Sequence, residues 1–188
     1  KIVTDANGNS TTYEYDSLGQ LKKQTNIDNV NNENKVIQFS YDSRGNLTTL
    51  TDPNGHSTTF EYDLSDRKTK ETNPLGHFSE YTYYPNNLLK TVKDGKGQIS
   101  TYTYDVAGRL TKITYIDGKQ DSFTYDAVGN LQTYGNESVS GTLTYDELNR
   151  KLSEIVNYGP FSKTYSYTYD SRGNKASYTS PEGVVYSY

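Results

Sequence analysis

Residues 100–115 read STYTYDVAGRLTKITY. Tyr102 and Tyr104 alternate with Thr, a period of two that marks a strand, not a helix. Tyr and Thr also favour strands. Asp105 is followed three residues later by Gly108, the spacing of a type I turn that leaves through a left-handed residue. A second strand-like run opens at Leu110. The stretch therefore encodes strand, sharp turn and strand, a β-hairpin.

The phrase is not said once. Anchored on the Tyr before the Asp, it falls at Tyr15, Tyr41, Tyr62, Tyr83, Tyr104, Tyr125, Tyr145 and Tyr169, in steps of 26, 21, 21, 21, 21, 20 and 24. Tyr83 belongs although Tyr84 replaces the acid, because YTYYPNNLLKTV aligns without a gap to YTYDVAGRLTKI. The acids of the other copies are Asp16, Asp42, Asp63, Asp105, Asp126, Asp146 and Asp170. Four residues after each anchor stand Gly19, Gly45, Asp66, Asn87, Gly108, Gly129, Asn149 and Gly173. Gly, Asn and Asp are the residues that tolerate left-handed φ. Two residues before each anchor lies a large apolar group: Tyr13, Phe39, Phe60, Tyr81, Tyr102, Phe123, Leu143 and Tyr167.

A second set of turn residues separates the phrases: DANG at 5–8, DPNG at 52–55, NPLG at 73–76, DGKG at 94–97, IDG at 116–118 and SPEG at 180–183. Two turns per 21 residues leave two strands of about six residues each. The long first step is assigned to an Asn-rich insertion, DNVNNENK, and the step of 24 to an extended loop, NYGPFSK. Leu110 and Ile113 lie an odd number of residues apart, so a bulge is needed if both are to share a face.

The expected fold is all-β: one array over residues 1–188 of about eight hairpins, a meander of roughly sixteen strands in one long curved or spiralling antiparallel sheet. One hairpin is marginal in water, so copies must stack side by side. Both ends of the sequence fall inside the pattern, as expected of a piece of a longer array. Exposed edge strands in such a piece favour self-association.

Composition agrees with an unusual core. Leu, Ile, Val and Phe together supply 35 of 188 residues, just under a fifth, whereas Tyr alone supplies 20. Tyr can bury a large ring while keeping its hydroxyl wet. The net charge of −4 gives no electrostatic reason to bind nucleic acid. No run of about 18 apolar residues offers a membrane-spanning helix. With no Cys, disulfides and thiolate chemistry are excluded.

Three sets of residues invite a functional reading. The Asp row could bind cations along a rim. Equivalent residues two strands apart are about 10 Å distant, too far to share a Ca²⁺ held at roughly 2.3–2.6 Å. Capping of backbone N–H groups two or three residues on is the expected role. His56 and His77 occupy equivalent places after turn Gly residues, without metal-ligand spacing. The Tyr rows could stack on sugar rings or hold the sheet together, and the scarcity of aliphatics favours the second. No catalytic constellation, metal site or cofactor site is expected.

YDSLGQL at 15–21, YDSRGNL at 41–47, YDVAGRL at 104–110 and YDAVGNL at 125–131 resemble the YD repeats of Rhs proteins, found also in wall-associated bacterial toxins, the C component of insecticidal Tc toxins and teneurins. The resemblance covers essentially the whole chain. It implies a β-sheet shell that encloses a C-terminal toxin in a large bacterial protein, secreted or at the cell surface or wall. Its partners would be neighbouring repeats and the toxin cargo. The alternative is a module that binds wall or surface carbohydrate. Departures from the pattern are Tyr84 for Asp, Asp66, Asn87 and Asn149 for Gly, and Lys68, Lys151 and Lys175 for Leu.

Overall fold

The computed structural model describes residues 1–5, 9–27 and 34–188. The first of the expected second turns, at 5–8, and most of the Asn-rich insertion lie outside them. Among the described residues there is no helix, and the chain forms two compact units, Lys1–Gln98 and Ile99–Tyr188.

The first unit runs β1 (Ile2–Thr4), β2 (Ser10–Tyr15), β3 (Leu21–Ile27), β4 (Asn34–Tyr41), β5 (Leu47–Thr51), β6 (Ser57–Tyr62), β7 (Lys68–Thr72), β8 (Phe78–Tyr83) and β9 (Leu89–Asp94). Each strand pairs antiparallel with the next. The second unit runs β10 (Ile99–Tyr104), β11 (Leu110–Thr114), β12 (Gln120–Tyr125), β13 (Leu131–Gly135), β14 (Ser140–Tyr145), β15 (Lys151–Asn157), β16 (Ser162–Tyr169), β17 (Lys175–Thr179) and β18 (Val185–Ser187), paired in the same way. Each unit is an unclosed antiparallel meander. Among the described residues there are eighteen strands where roughly sixteen were expected, because the partial repeats at residues 2–4 and 185–187 also pair.

The turn after each anchor is built as the spacing requires. Gly108 N–H donates to Asp105 O at 3.0 Å, and Asp105 N–H donates to Arg109 O at 2.9 Å. All eight exit residues have positive φ, including the non-glycines Asp66 (60°), Asn87 (68°) and Asn149 (61°). Gly108 sits at φ 80°. Gly108→Val is therefore expected to cost more than about 1 kcal/mol, because a β-branched residue is strained there. A thermal melt checks this, and an unchanged midpoint would count against the assignment.

Beyond each of these turns the register slips by one residue. Thr103 faces Lys112, but Tyr104 faces Leu110, which leaves Thr111 as the extra residue of a bulge. Tyr102 faces Ile113. Tyr102 and Tyr104 share a face, so their partners Ile113 and Leu110 share it too. The odd spacing of these two residues is thus resolved. The same bulge recurs beside Tyr15, Tyr41, Tyr62, Tyr83, Tyr125, Tyr145 and Tyr169.

Two differences from the sequence reading concern length. The step of 24 contains no extended loop: β15 and β16 are drawn out, and the connection is the tight turn 158–161, closed by Tyr158 N–H donating to Phe161 O. The step of 20 reflects a second turn the sequence reading missed. There Asn136 N–H donates to Val139 O, one residue sooner than Asp52 N–H to His56 O. The Asn136 side-chain oxygen accepts from the N–H groups of Ser138 and Val139, so no glycine is needed.

The sheet has almost no covered core. Leu143 and Val156, at 9% and 7% exposure, are the buried hydrophobic side chains among the described residues. One face carries the aromatic ladder, with pairs such as Phe39–Leu50, Tyr81–Val92 and Phe123–Tyr134. The other carries hydroxyl pairs, including Thr82–Thr91, Thr124–Thr133, Thr144–Ser153 and Thr168–Ser177. Leu, Ile, Val and Phe at just under a fifth of the chain suffice because, among the described residues, no second layer has to be filled.

Candidate functional site

The repeated chemistry lies along the rim of anchor turns. Asp16 Oδ1 accepts from the N–H groups of Leu18 and Gln20, each at 2.9 Å. Asp42, Asp63, Asp105, Asp126, Asp146 and Asp170 repeat the arrangement. The caps reach two and four residues on, where two or three were expected. The second oxygen is then free for the side chain that follows the left-handed residue.

That following residue is what sequence reasoning missed. It reads Gln20, Asn46, Arg67, Leu88, Arg109, Asn130, Arg150 and Asn174, polar in all but one copy, which was a usable signal. Arg67 Nε donates to Asp63 Oδ2 at 2.7 Å, while its Nη1 donates to Tyr84 O of the next turn at 3.2 Å. Its guanidinium carbon lies 4.9 Å from the centroid of the next anchor ring, Tyr83. Arg109 repeats this onto Asp105, Asp126 O and the Tyr125 ring. Arg150 repeats it onto Asp146, Asp170 O and the Tyr169 ring. Arg67 Nη1 also donates to Asn87 Oδ1 at 3.0 Å, and the shorter Asn reaches that same left-handed position in the next turn. Asn46 Nδ2 donates to Asp42 and to Asp66 Oδ1 at 2.7 Å, and Asn130 Nδ2 to Asp126 and to Asn149 Oδ1 at 2.9 Å. Asp66 and Asn149 are thus accepting side chains where a glycine would offer none.

These bonds hold the aspartates ionised. The Asn46 side chain holds the Asp42 carboxyl below its ordinary range, and the Arg67 side chain does so for Asp63. The Arg109 and Arg150 backbone N–H groups lead the same effect on Asp105 and Asp146. The Asn130 and Asn174 side chains lead it on Asp126 and Asp170.

The anchors add a second tie between repeats. The hydroxyls of Tyr41, Tyr62 and Tyr83 donate to the carbonyl oxygens of Leu21, Leu47 and Lys68, at 3.0, 2.9 and 2.7 Å. Those of Tyr125, Tyr145 and Tyr169 donate to Leu110, Leu131 and Lys151, at 2.9, 2.9 and 2.8 Å. Each acceptor belongs to the residue opposite the preceding anchor, at the point where the register slips. Tyr145→Phe should cost about 1 kcal/mol, since it removes one half-buried bond to the Leu131 carbonyl. A lower denaturant midpoint at unchanged slope would register it.

The Lys departures keep the ladder intact. Lys68 and Lys151 stand where Leu stands elsewhere, and each pairs with a Glu three residues on, Glu71 and Glu154, brought to the same face by the bulge. Lys68 Nζ lies 4.9 Å from the Tyr81 ring centroid, and Lys151 and Lys175 lie 4.8 and 4.7 Å from that of Tyr167. Cation–π contacts of this kind are worth about 0.5–1 kcal/mol at exposed sites.

In the second unit Tyr134 lies flat across β14. A Cβ on Gly141 would fall 2.2 Å from its ring. Its hydroxyl donates to Glu154 Oε1 at 2.8 Å, and Lys151 Nζ holds the other oxygen at 2.9 Å. Burial, helped by Glu154, pushes the Tyr134 phenol up to about 12.

Nothing in this rim gathers a nucleophile with a base. His56 lies 3.3 Å from Asp52 in a turn, and the His77 N–H is capped by Asn73. Among the described residues no cluster of three potential metal ligands occurs.

A hidden regularity of this kind is what a family model detects. The model described as RHS Repeat matches residues 2–29, 41–77 and 83–120, more than half of the chain. The chain belongs to the RHS repeat family. This RHS array is similar in fold to solved Tc toxin structures. It matches TcdB2-TccC3 without the hypervariable C-terminal region at TM-score 0.76 and 19% identity, over 95% of this chain and 12% of that one. It matches TcdB2-TccC3-Cdc42 at TM-score 0.75 and 17% identity, over 99% and 13%. The Tc holotoxin pore of Photorhabdus luminescens, with a TccC3 D651A mutation, matches at 0.74 and 19%, over 95% and 11%. The RHS array therefore spans about an eighth of the length of these chains. No curated protein sequence matches it.

Proposed function

We propose that residues 1–188 are one array of about eight hairpins, a section of shell wall in a larger bacterial protein that is secreted or held at the cell surface. The wall encloses a C-terminal toxin domain and performs no chemistry of its own. The tyrosine hydroxyls carry this reading. Those of the six anchors Tyr41, Tyr62, Tyr83, Tyr125, Tyr145 and Tyr169 are spent on the backbone of the preceding repeat, so the anchor row binds the sheet to itself rather than opening as a sugar-stacking groove. The likeness in fold to the Tc complexes supports it.

The test uses the parent polypeptide. The domain that follows the array should resist protease while the wall is intact. It should become susceptible when Gly108→Val and Gly129→Val are introduced together. Equal digestion of that domain in the unaltered protein and in a version with the array removed would overturn the proposal.

A further inference from the structure

Twenty tyrosines with no Cys, Met or Trp leave the phenols as the main oxidisable side chains of this chain, since the usual sulfur sinks are missing. At the end of the second unit three of them surround a fourth. Tyr178 on β17 lies directly opposite Tyr167 on β16 and Tyr186 on β18. Its ring centroid is 5.6 Å from Tyr167, 5.8 Å from Tyr186 and 6.4 Å from Tyr165. The Tyr178 and Tyr186 rings are nearly parallel, at 24°.

Tyr167 and Tyr178 differ in electrostatics. Tyr167 has the ammonium groups of Lys151 and Lys175 at its ring, 4.8 and 4.7 Å from the centroid. Two cations oppose removal of an electron from that ring. Glu182, in the turn between β17 and β18, adds negative charge toward Tyr178, offset in part by Lys163 at 3.9 Å, and Tyr178 has no pair of ammonium groups at its ring of the kind that Tyr167 has. An electron hole shared by the cluster therefore settles on Tyr178, and the partner best placed to react with it is Tyr186.

We propose that Tyr178 and Tyr186 are an oxidative modification site, at which a one-electron oxidant of the haem-peroxidase class joins β17 to β18 as dityrosine. Each phenol gives one electron to the oxidant and one proton to solvent. The two phenoxyl radicals form one carbon–carbon bond between ring positions ortho to oxygen, and loss of the two ortho hydrogens to the phenol oxygens restores both rings. Overall two hydrogens leave the protein, and one hydrogen peroxide is reduced to two waters. The product closes the last hairpin covalently.

The experiment treats the 188-residue protein with hydrogen peroxide and a haem peroxidase, then cleaves after Lys175 and Glu182. Peptides 176–182 and 183–188 should be recovered joined, lighter than their sum by two hydrogens and fluorescent as dityrosine. Fragment ions should assign the bond to Tyr178 and Tyr186. Tyr178→Phe should abolish the product, Tyr167→Phe should preserve it, and unfolding in urea before oxidation should remove it. A bond from Tyr178 to Tyr167, coupling spread over the exposed Tyr15 and Tyr188, or an equal yield in urea would each overturn the proposal.

Discussion

Gly141→Val is expected to destabilise the second unit by about 3 kcal/mol, and it is the largest single-residue effect in the chain. Any side chain there meets the Tyr134 ring, which lies within 2.2–2.6 Å of the added carbon. Over-packing of this kind costs about 1–3 kcal/mol. The displaced ring also loses its bond to Glu154, a charged acceptor, worth about 1.5–3 kcal/mol before compensation by water. The two losses overlap, because one movement of Tyr134 causes both. Chemical denaturation of wild type and variant gives the value. The decisive comparison is a double-mutant cycle with Tyr134→Ala. Gly141→Val should cost much less once the ring is gone, and a full cost in that background would rule out the steric account.

The second large effect is acid sensitivity. Asp105, Asp126, Asp146 and Asp170 of the second unit all ionise below the ordinary aspartate value of 3.8 in the fold. A depressed folded pKa means the unfolded chain binds more protons between the two values. The contribution of each carboxylate is complete above pH 3.8 and is lost as pH falls through its folded pKa. Asp42 and Asp63 of the first unit are lowered in the same way, so the losses accumulate, and the melting midpoint should fall below about pH 4. Asn73 shows that an amide can cap equally, accepting from Leu75 and His77 N–H at 3.0 Å each. Asp105→Asn with Asp146→Asn should therefore flatten the pH profile while retaining the turns. An unchanged profile would mean that other groups govern acid unfolding.

The turns were the most legible part of this molecule, because φ is a local property. Asp66, Asn87 and Asn149 could be assigned left-handed from residue type and spacing alone, and they are so. The bulge was foreshadowed by the odd interval between Leu110 and Ile113, since a clean strand cannot put both on one face. Ties between repeats were harder to see. The Tyr145 hydroxyl reaches Leu131, fourteen residues away, and only the registered sheet brings them together. Arg67 and Asn46 occupy the same repeat position and both reach the left-handed residue of the next turn, Asn87 and Asp66, while the longer Arg67 reaches Tyr84 O as well, a matter of side-chain length that alternation does not encode. NYGPFSK at 157–163 reads as loop because Asn157, Gly159 and Pro160 are turn formers, yet the ladder continues to Asn157 and Ser162 on its two sides.

Within each unit every strand contacts only its neighbours in sequence. The longest wait for a partner is thus one turn of about five residues, apart from the insertion after β3. Sequence-local pairing carries little loop-closure entropy and belongs to the fast-folding class of topologies. A nascent chain leaving the ribosome at roughly 5–20 residues per second would complete a hairpin every one to four seconds, far slower than the microseconds a hairpin needs to close. Each finished hairpin covers the open edge of the one before it. Synthesis itself can therefore lay the sheet down in order, with one growing edge exposed at a time.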